Sequence, residues 1–530
     1  MRRRMTVTAL CAAAIVLVLP TAASAAGEVT PTSGPLAGGT VVSVVSPAGL
    51  DSVIGGGLYS LGFLPDGSLY AWGADGSEQL GDGHGQVDRF APVRVAAPVG
   101  VTFDSIGAGG THVVALGSDG ATYAWGNDGS GQQGNGPGVN GQATPSLVTT
   151  PPGVSFTSVA AGAAAAYAIG SDGNAYAWGA NSLGQLGDGS TDPTQSSPVP
   201  IATPPGVTFR EVSGGSAHAL ALDTNGNAYA WGSNFYGQLG TGVTGGVERT
   251  PLPVVMPVGV TFTSVSAGDY HSLALGSDGN VYAWGLDMFG GLGDDAALVD
   301  QSAPVMVAAP PGVSFVAISA GAMHSVALTS DGTAYAWGRD DGGQLGDDPA
   351  FANQPTPRPV AMPSGVSVIS LSAGLDHTLA VGSDGATYSW GWVSFGRLGR
   401  DAGGVNQPVP GQLAAPQVTA VSFDGVDGTD LGFDAGSGGW TVTTPAGATP
   451  GAVDVIVQWN FNGVPQPPVT YPNAFLYTAP NLPTNPTNQP QNQPSALAAT
   501  GFETVGWAAL AALALALGLG ALMLRRNEPQ

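Results

Sequence analysis

The sequence predicts an all-β protein in which a ring of seven four-stranded sheets interrupts a second, smaller β domain. Three observations predict it. A 53-residue unit recurs seven times, 84 Gly and 42 Pro punctuate short apolar runs, and strand-like segments flank the repeats on both sides. Hydrophobic residues make up 43% of the chain, against 9% charged residues, so there is apolar surface to build a core. We therefore expect folded β domains between two terminal processing segments.

Residues 1–25 have the pattern of a signal peptide. Arginines at positions 2–4 precede an apolar run at 9–20, and the small residues at 23–25 fit an A-x-A cleavage site. The alternative is an N-terminal membrane anchor, but the apolar run is too short to span a bilayer. The pattern predicts export of the chain.

The repeats are marked by tryptophans, each followed by Gly, at six equal intervals of 53 residues. Such a fixed period indicates a repeat architecture. Chance does not produce it. The seven tryptophans are Trp72, Trp125, Trp178, Trp231, Trp284, Trp337 and Trp390.

One unit, taken over residues 260–305, reads as four short strands. An Asp-Gly pair between apolar runs is a strong hairpin signal, because Gly accepts a positive φ. Proline flanks the last strand and suits an outer edge, where a missing N–H is tolerated. The predicted strands are 262–265, 271–275, 281–284 and 303–307, with a turn at 277–279.

Seven four-stranded units suit a closed ring of radial sheets, in which each sheet packs between two neighbours. A linear stack of the same units is the alternative. Solenoid repeats are commonly shorter than this one, so the period favours the ring. We predict a seven-bladed β-propeller over residues 49–415.

The unit resembles the repeat of the regulator of chromosome condensation (RCC1) family. That family's pattern, G-x-x-H-S-x-A-L, then D-G-x-V-Y-x-W-G, then G-x-L-G, is matched by AGDYHSLALGSDGNVYAWGLDMFGGLGDD at 267–295. The resemblance extends over all seven units and implies the family's seven-bladed propeller. It implies no single function. The eukaryotic founder promotes nucleotide exchange on a nuclear GTPase and binds chromatin, whereas secreted bacterial proteins also carry the repeat, and one such propeller inhibits β-lactamases.

The histidine of the pattern is present in five units and replaced by Tyr59 and Ala165 in the first and third. A metal site would need these side chains to converge, whereas one per blade suits local packing and hydrogen bonding. We predict the same structural role for the Trp-Gly pairs, in preference to a sugar-binding platform. The five histidines are His112, His218, His271, His324 and His377.

The segments that flank the repeats resemble two parts of one immunoglobulin-like domain of the IPT/TIG type. VTPTSGPLAGGTVVSVVS at 29–46 resembles its opening strands, and WTVTTPAGATPGAVDVIVQW at 440–459 resembles its later strands. We therefore predict a β-sandwich formed by residues 26–48 and 416–479, with the propeller inserted in a surface loop. The alternative is that residues 41–45 complete a propeller blade.

The C-terminal end resembles a Gram-positive sortase signal of the L-A-x-T-G type. A Pro/Asn/Gln-rich spacer at 480–496 precedes residues 497–530, in which an apolar stretch at 505–524 is long enough to cross a bilayer and is followed by two arginines. An ordinary single-pass membrane anchor is the alternative. In the family the enzyme cleaves between Thr and Gly and transfers the chain to peptidoglycan, which here implies Leu497, Ala498, Thr500 and Gly501 as the recognition and cleavage site.

Composition excludes several chemistries. The chain has no Lys, which rules out a Walker A or Schiff-base lysine, and its net charge of −24 repels nucleic acid. The single cysteine, Cys11, lies in the predicted signal peptide. No nucleophile-base-acid set, H-E-x-x-H motif or phosphate loop is present. We predict a protein that is not an enzyme and needs no cofactor.

Acidic clusters in loops offer a weak calcium alternative, but none has EF-hand spacing, so solvated turn residues are the favoured interpretation. These clusters lie at 294–295, 340–341 and 347–348, and at Asp424, Asp427 and Asp430.

We expect recognition, where it occurs, at the loops that differ between units, at 83–89, 136–144, 241–249 and 347–354. The predicted function is a cell-wall-anchored protein that binds an extracellular protein or polymer, with sortase and peptidoglycan as its partners in anchoring. One alternative is a non-catalytic structural or inhibitory surface module. A more distant one is nucleotide exchange, which export disfavours.

Overall fold

In the computed structural model, the residues described are 15–16, 29, 31–44, 49–137, 141–295, 298–347, 350–434, 439–461 and 463–479. The chain divides into two compact units, residues 1–479 and 480–530, and the second lies outside the described residues. Also outside them are the sortase site, the apolar stretch at 505–524, the predicted spacer and all of the predicted signal peptide except residues 15–16.

The described chain is built from strands, with one 3₁₀ turn at Ser394–Gly396. Three short strands precede the repeats: β1 (Ile15–Val16), β2 (Ser33–Pro35) and β3 (Val41–Val44). The repeats form seven successive antiparallel sheets, here called blades 1 to 7, and β1 adds to the last of them beside its first strand.

The blade strands are, in order, β4 (Ser52–Gly55), β5 (Tyr59–Phe63), β6 (Leu69–Gly73), β7 (Arg89–Arg94); β8 (Phe103–Ala108), β9 (His112–Gly117), β10 (Thr122–Gly126), β11 (Gln142–Leu147); β12 (Phe156–Ala161), β13 (Ala165–Gly170), β14 (Ala175–Ala180), β15 (Thr194–Pro200); β16 (Phe209–Gly214), β17 (His218–Asp223), β18 (Ala228–Ser233), β19 (Val247–Pro253); β20 (Phe262–Ala267), β21 (His271–Gly276), β22 (Val281–Gly285), β23 (Gln301–Met306); β24 (Phe315–Ala320), β25 (His324–Thr329), β26 (Ala334–Gly338), β27 (Gln354–Pro359); β28 (Val368–Ala373), β29 (His377–Gly382), β30 (Thr387–Gly391) and β31 (Gln407–Gln412).

The prediction of an all-β chain with repeated four-stranded units is confirmed. In blade 5 each predicted strand corresponds to an observed one, β20 to β23, and the fourth begins two residues earlier than expected. The turn between β21 and β22 holds Gly279 at φ +78°, which an L-residue rarely adopts. Asp278 fixes this turn by accepting from the Asn280 N–H at 3.1 Å and the Tyr282 hydroxyl at 2.9 Å.

Hydrogen bonds connect the last blade to the first as well as neighbours along the chain. The Gly55 N–H donates to the Ser372 Oγ at 3.0 Å, and the Leu375 N–H donates to the Gly56 carbonyl at 3.1 Å. Blades 4 and 5 are joined in the same way, by the Ala267 N–H and Ser213 Oγ at 3.0 Å. The first strands of all the blades line a narrow central channel of about 70 Å³.

The remaining strands form two facing sheets beside the propeller. They are β32 (Gln417–Phe423), β33 (Val426–Asp427), β34 (Thr429–Asp434), β35 (Gly439–Thr443), β36 (Gly451–Phe461), β37 (Val464–Pro465) and β38 (Val469–Thr478). One sheet has the order β2-β38-β36-β32-β33, with β37 beside β36, and the other has the order β3-β35-β34.

Both strands that precede the repeats pair with strands that follow them. β2 runs parallel to β38, and Val42 in β3 lies opposite Val442 in β35. The two sheets enclose a shared apolar core that includes Val42, Phe423 and Phe475. The segment 41–44 therefore belongs to this core and pairs with no blade strand.

Aromatic side chains of this second domain pack against blade 1. In blades 2 to 6 a Phe begins the first strand and contacts the Trp of the same blade, as Phe262 does with Trp284 at 6.2 Å between ring centroids. Blade 1 has Leu50 at the matching position. There Trp459 and Phe461 from β36 lie within 6.3 Å of the Tyr70 ring and share one buried cluster with Leu50. The second domain thus supplies apolar volume that blade 1 lacks.

Candidate functional site

The seven repeat tryptophans hold neighbouring blades together. All are fully buried, and each indole Nε1–H donates to a backbone carbonyl in the loop of the preceding blade, at 2.8 to 3.0 Å. Trp284, for example, donates to the Gln238 carbonyl. A Cβ at Gly240 would lie 2.7 Å from the Trp284 Nε1, and the matching glycine of every other unit lies equally close to an indole, so this glycine makes room for the tryptophan. We call each boundary between adjacent blades a seam.

The repeat histidines also act across seams. The Nε2 of His218 lies 2.9 Å from the Oγ of Ser272 in the next blade, and that hydroxyl donates to the same Gln238 carbonyl at 2.8 Å. Because the hydroxyl has one hydrogen, its oxygen accepts from the Nε2–H, which fixes the imidazole tautomer. The same arrangement joins His271 to Ser325, His324 to Thr378 and His377 to Ser60.

The histidine of blade 2 lacks this arrangement. The position that matches Ser272 is Ala166, which has no hydroxyl, and within the described residues neither ring nitrogen of His112 has a hydrogen-bond partner. In blade 1 the Tyr59 hydroxyl, which replaces the histidine, donates to the His112 carbonyl at 2.8 Å. Blade 3 has Ala165 at this position. Seams 1–2, 2–3 and 3–4 therefore have no pair of this type in the described chain.

Burial keeps these imidazoles neutral. It lowers the pKa of His218 and His324 to about 3, lowers that of His112 and His271 to about 4, and holds that of His377 well below its usual value. Among the described residues, no three or more His, Cys, Asp or Glu side chains converge as a metal site would require. The geometry assigns four of these histidines, His218, His271, His324 and His377, to inter-blade hydrogen bonding.

The central channel is lined mostly by Gly and Ala. Asp269 is the one charged side chain among the described residues that line it. Burial, with a smaller contribution from the Asp376 carboxylate, raises the pKa of Asp269 to about 6. At the same end of the propeller Arg339 pairs with Asp376 at 3.2 Å and Asp341 at 2.7 Å.

Exposed aromatic and methionine side chains gather on the loops of blades 4 and 5. Phe235 is 57% exposed and Met288 is 60% exposed. Tyr236 forms an edge-to-face contact with Tyr270 at 5.7 Å, which connects the two loops. The positions that match Phe235 in blades 1 to 3 are Gly76, Gly129 and Ser182, so those three blades have no large apolar side chain at this position.

The loops that the sequence singled out lie between the third and fourth strands of their blades. The loop at 83–89 contributes Asp88 and Arg89 to a cavity of about 830 Å³ beside seam 7–1, where blade 7 and Val464 of the second domain complete the walls. The loop at 241–249 carries Arg249, which donates to the Asn181 carbonyl of blade 3 at 3.3 Å. The loops at 136–144 and 347–354 lie partly outside the described residues.

One of the acidic clusters that offered a calcium alternative, at 340–341, is tied into the fold. The Asp340 Oδ1 accepts from the Leu345 N–H at 2.9 Å, and Asp341 pairs with Arg339. Asp287, five residues before Leu292, makes the same loop bond as Asp340.

Comparison with known proteins identifies the repeat. The profile of the RCC1-like domain matches residues 140–426, and that of the RCC1 repeat matches residues 66–116. This chain belongs to the RCC1-like family. The sequence-based assignment to that family is therefore confirmed.

Several RCC1-like proteins are similar to it over most of the repeats. The ultraviolet-B receptor UVR8 of Arabidopsis thaliana is 31% identical over 349 residues, which cover 65% of this chain and 77% of the receptor. Protein pim1 of Schizosaccharomyces pombe is 30% identical over 397 residues, which cover 67% of this chain and 72% of pim1. The human E3 ubiquitin-protein ligase HERC2 is 32% identical over 335 residues, only 7% of that ligase.

Solved structures show the same fold. Human WBSCR16 is 21% identical with a TM-score of 0.58, covering 71% of this chain and 99% of that one. Prp20p of Saccharomyces cerevisiae is 24% identical with a TM-score of 0.57, and the match covers 71% of this chain and 90% of Prp20p. That protein was studied for its binding to Gsp1p and histones.

Sequence reasoning missed two features of the seams. In three of the four pairs the serine or threonine lies 54 residues after the histidine, so reading the units in register would have paired His218 with Ser272 and matched His112 with Ala166. Blade 7 also departs from the repeat at Arg397, where five blades have Gln, and at Arg400, where blade 1 has Asp82. Both departures are visible in the aligned units.

Proposed function

We propose that the chain is a non-catalytic surface protein, anchored to the cell wall, whose propeller binds an extracellular protein or polymer. The observation that carries the binding role is the group of exposed apolar side chains on blades 4 and 5, Phe235, Tyr236 and Met288. Exposed aromatic and methionine side chains that lie together favour association with a partner, because they remove apolar area from water when covered.

The architecture we propose is a seven-bladed propeller inserted in an immunoglobulin-like sandwich. It is supported by the pairing of β3, before the repeats, with β35, after them, and by hydrogen bonds between the first and last blades. Closure of the ring brings the ends of the inserted domain together, and insertion is tolerated where they are close.

The non-catalytic role is supported by what fills the repeat positions. The five repeat histidines belong to the residue type best suited to acid-base chemistry at neutral pH, but they are buried at seams and kept neutral, out of reach of a substrate. The relative that is a ligase matches this chain over only 7% of its own length.

Wall anchoring is supported by Leu497, Ala498, Thr500 and Gly501 followed by the apolar stretch at 505–524, and export by the pattern at 1–25. Among the described residues no helix is both long and apolar enough to cross a membrane, and residues 505–524 are not among them.

Mass spectrometry of the wall fraction released by muramidase tests the anchoring. We expect a peptide that ends at Thr500 and is linked to a wall fragment. Thr500→Ala should abolish it, whereas Ala499→Ser, at the variable position of the motif, should preserve it. An intact chain that keeps 505–524 in membranes would contradict wall anchoring, and an intact cytoplasmic chain would instead support the exchange-factor alternative.

Adhesion of cells that display the chain tests the binding role. On surfaces coated with extracellular proteins and polysaccharides, displaying cells should adhere to at least one coating better than cells that lack the chain. The triple variant Phe235→Ala, Tyr236→Ala, Met288→Ala should lose this adhesion. The control Val99→Ala, Val258→Ala alters exposed apolar residues elsewhere and should retain it. Equal adhesion with and without the chain on every coating would favour the structural or inhibitory alternative.

A further inference from the structure

The cavity beside seam 7–1 has the size and position of a small-molecule site. Its volume is about 830 Å³, and its walls come from strand β7 of blade 1, the loops of blade 7 and Val464 of the second domain. Ligand cavities commonly measure roughly 300–1,000 Å³ and often lie where domains meet. It is separate from the exposed side chains of blades 4 and 5.

Two phenyl rings border this cavity and face solvent. Phe90 in β7 is 64% exposed and Phe395 in the blade 7 loop is 46% exposed. Phe395 has φ +63°, a left-handed conformation that is uncommon for a bulky residue. Tyr236, the matching residue in blade 4, does not have it.

The loop that carries Phe395 is hydrogen-bonded differently from the matching loop of blade 4. In blade 4 the Gln238 Oε1 accepts from the Tyr236 N–H at 2.9 Å. Blade 7 has Arg397 in place of that glutamine, and a guanidinium can only donate. Its Nε donates to the Ser394 carbonyl at 3.0 Å instead, and the loop turns at Phe395. Blades 4 and 7 therefore differ both in this residue and in the conformation of the loop, which in blade 7 borders the cavity.

Four charged side chains line the cavity, and each is anchored. Arg89 pairs with Asp82 at 2.7 Å, and Arg400 donates to Ser389 and Gln407. The Asp88 Oδ1 accepts from the Asp75 N–H, and the Asp401 Oδ1 accepts from the Gly403 N–H.

Each of these four side chains still has a hydrogen-bonding atom without a partner among the described residues. Counting only bonds made by the described residues, the Nη1 of Arg89 and Arg400 and the Oδ2 of Asp88 and Asp401 have no partner. The cavity therefore offers two donors and two acceptors on side chains that are already held in place, and its lining charges sum to zero.

We propose that this cavity binds a neutral saccharide. A sugar ring has an apolar C–H face that packs on a phenyl ring, and its hydroxyls both donate and accept, which matches alternating arginine N–H and aspartate oxygen atoms. A ligand with a net negative charge gains less here, because Asp88 and Asp401 offset the two arginines. Phe90 and Phe395 provide the stacking surfaces, and Arg400 and Asp401 bind hydroxyls.

Isothermal titration calorimetry of the full-length chain tests the proposal, with cellotetraose, mannotetraose, xylotetraose, maltotetraose and tetra-N-acetylchitotetraose as probes. We expect at least one to bind with one molecule per chain. Phe90→Ala and Arg400→Gln should each weaken binding by about tenfold. Val258→Ala and Arg358→Gln alter exposed residues away from the cavity and should leave sugar binding unchanged.

The opposing results are distinct. Absence of binding for all five sugars at about 5 mM, near the weak limit of specific recognition, would overturn the proposal. So would sugar binding that is unchanged by Phe90→Ala, a substitution at a solvent-facing residue that the fold tolerates. If 8-anilinonaphthalene-1-sulfonate binds, Arg400→Gln abolishes its binding and no sugar binds, then the cavity is an anion site instead. None of these results depends on wall anchoring or on the adhesion test.

Discussion

Blades 4 to 7 and blades 1 to 3 share one backbone plan, but different polar bonds join them. At seams 4–5, 5–6, 6–7 and 7–1 a histidine meets a serine or threonine of the next blade. At the other three seams of the described chain this pair is missing, and the position that would supply a hydroxyl to His112 is Ala166. The Trp-to-carbonyl bond is present at all seven seams.

The comparison separates what the ring requires from what it tolerates. The indole fills volume and satisfies a carbonyl at every seam, and the glycine that packs against it is retained with it. The histidine pair adds one hydrogen-bonded connection, which three seams do without. The exposed aromatic surface of blade 4 also differs from the small residues at matching positions in blades 1 to 3.

The largest expected effect is the loss of an indole. Trp284→Ala at seam 4–5 and Trp178→Ala at seam 2–3 should each lower the free energy of unfolding by about 3–5 kcal/mol, because each leaves a large buried cavity. Urea denaturation followed by circular dichroism measures it. If one variant is far less destabilised than the other, the tryptophans do not have the same role at all seams.

Replacing the indole by phenyl should distinguish the two kinds of seam. Trp178→Phe leaves the Gln132 carbonyl with no other partner among the described residues, whereas after Trp284→Phe the Gln238 carbonyl keeps the Ser272 hydroxyl. An unsatisfied buried acceptor costs about 1–3 kcal/mol. We expect Trp178→Phe to be the more destabilised by about that amount in the same urea assay. Equal losses would mean that the shared carbonyl has no energetic importance.

Acid should weaken the seams through their histidines. Burial lowers the pKa of His112 to about 4 from 6.5, so between these values the unfolded chain binds the proton and the folded chain does not. The stability that depends on neutral His112 is present above pH 6.5 and is lost as the pH falls toward 4. At pH 5 the loss is about 2 kcal/mol. We expect His112→Asn to lose less stability than the parent between pH 7 and pH 5, by that amount.

Glu211 provides the opposite control in blade 4. Burial raises its pKa to about 7, so its contribution is present below pH 4.5 and is lost as the pH rises through 7. Glu211→Gln should therefore gain stability relative to the parent as the pH rises from 5 to 8.

For the histidine prediction, a parent and a His112→Asn variant with identical pH dependence would show that His112 is not buried in neutral form.

Much of the propeller could be predicted because each blade repeats the same local rules. The Asp-Gly turn, the period of Trp284 and its equivalents, and the Pro-flanked outer strand are all short-range signals. What joins the blades is long-range in sequence. The bond between Ser60 and His377 spans 317 residues, and only the assumption of a closed ring brings those two residues together.

The cavity beside seam 7–1 was less accessible to sequence reasoning. The loop at 83–89 stood out as variable, but Arg400 and Phe395 come from the other end of the repeats and Val464 from the second domain. Beside Phe395 the repeat exchanges a hydrogen-bond acceptor, the glutamine of blade 4, for a donor, Arg397. The sequence contains that exchange, but its consequence depends on the three-dimensional loop.

The smallest expected effect comes from a substitution that completes the hydrogen bonding at seam 2–3. Ala166→Ser should place a hydroxyl between the His112 imidazole and the Gln132 carbonyl, as Ser272 lies between His218 and Gln238. We expect a gain of about 1 kcal/mol in the free energy of unfolding, since a buried ring nitrogen finds a partner.

Ala219→Ser is the matched control, because blade 3 offers Ala165 and no imidazole, and it should bring no gain. Ser272→Ala, the reverse change at a complete seam, should cost about 1–3 kcal/mol. Equal responses of Ala166→Ser and Ala219→Ser in urea denaturation would contradict the role of the histidine, because the two variants differ in whether an imidazole faces the new hydroxyl.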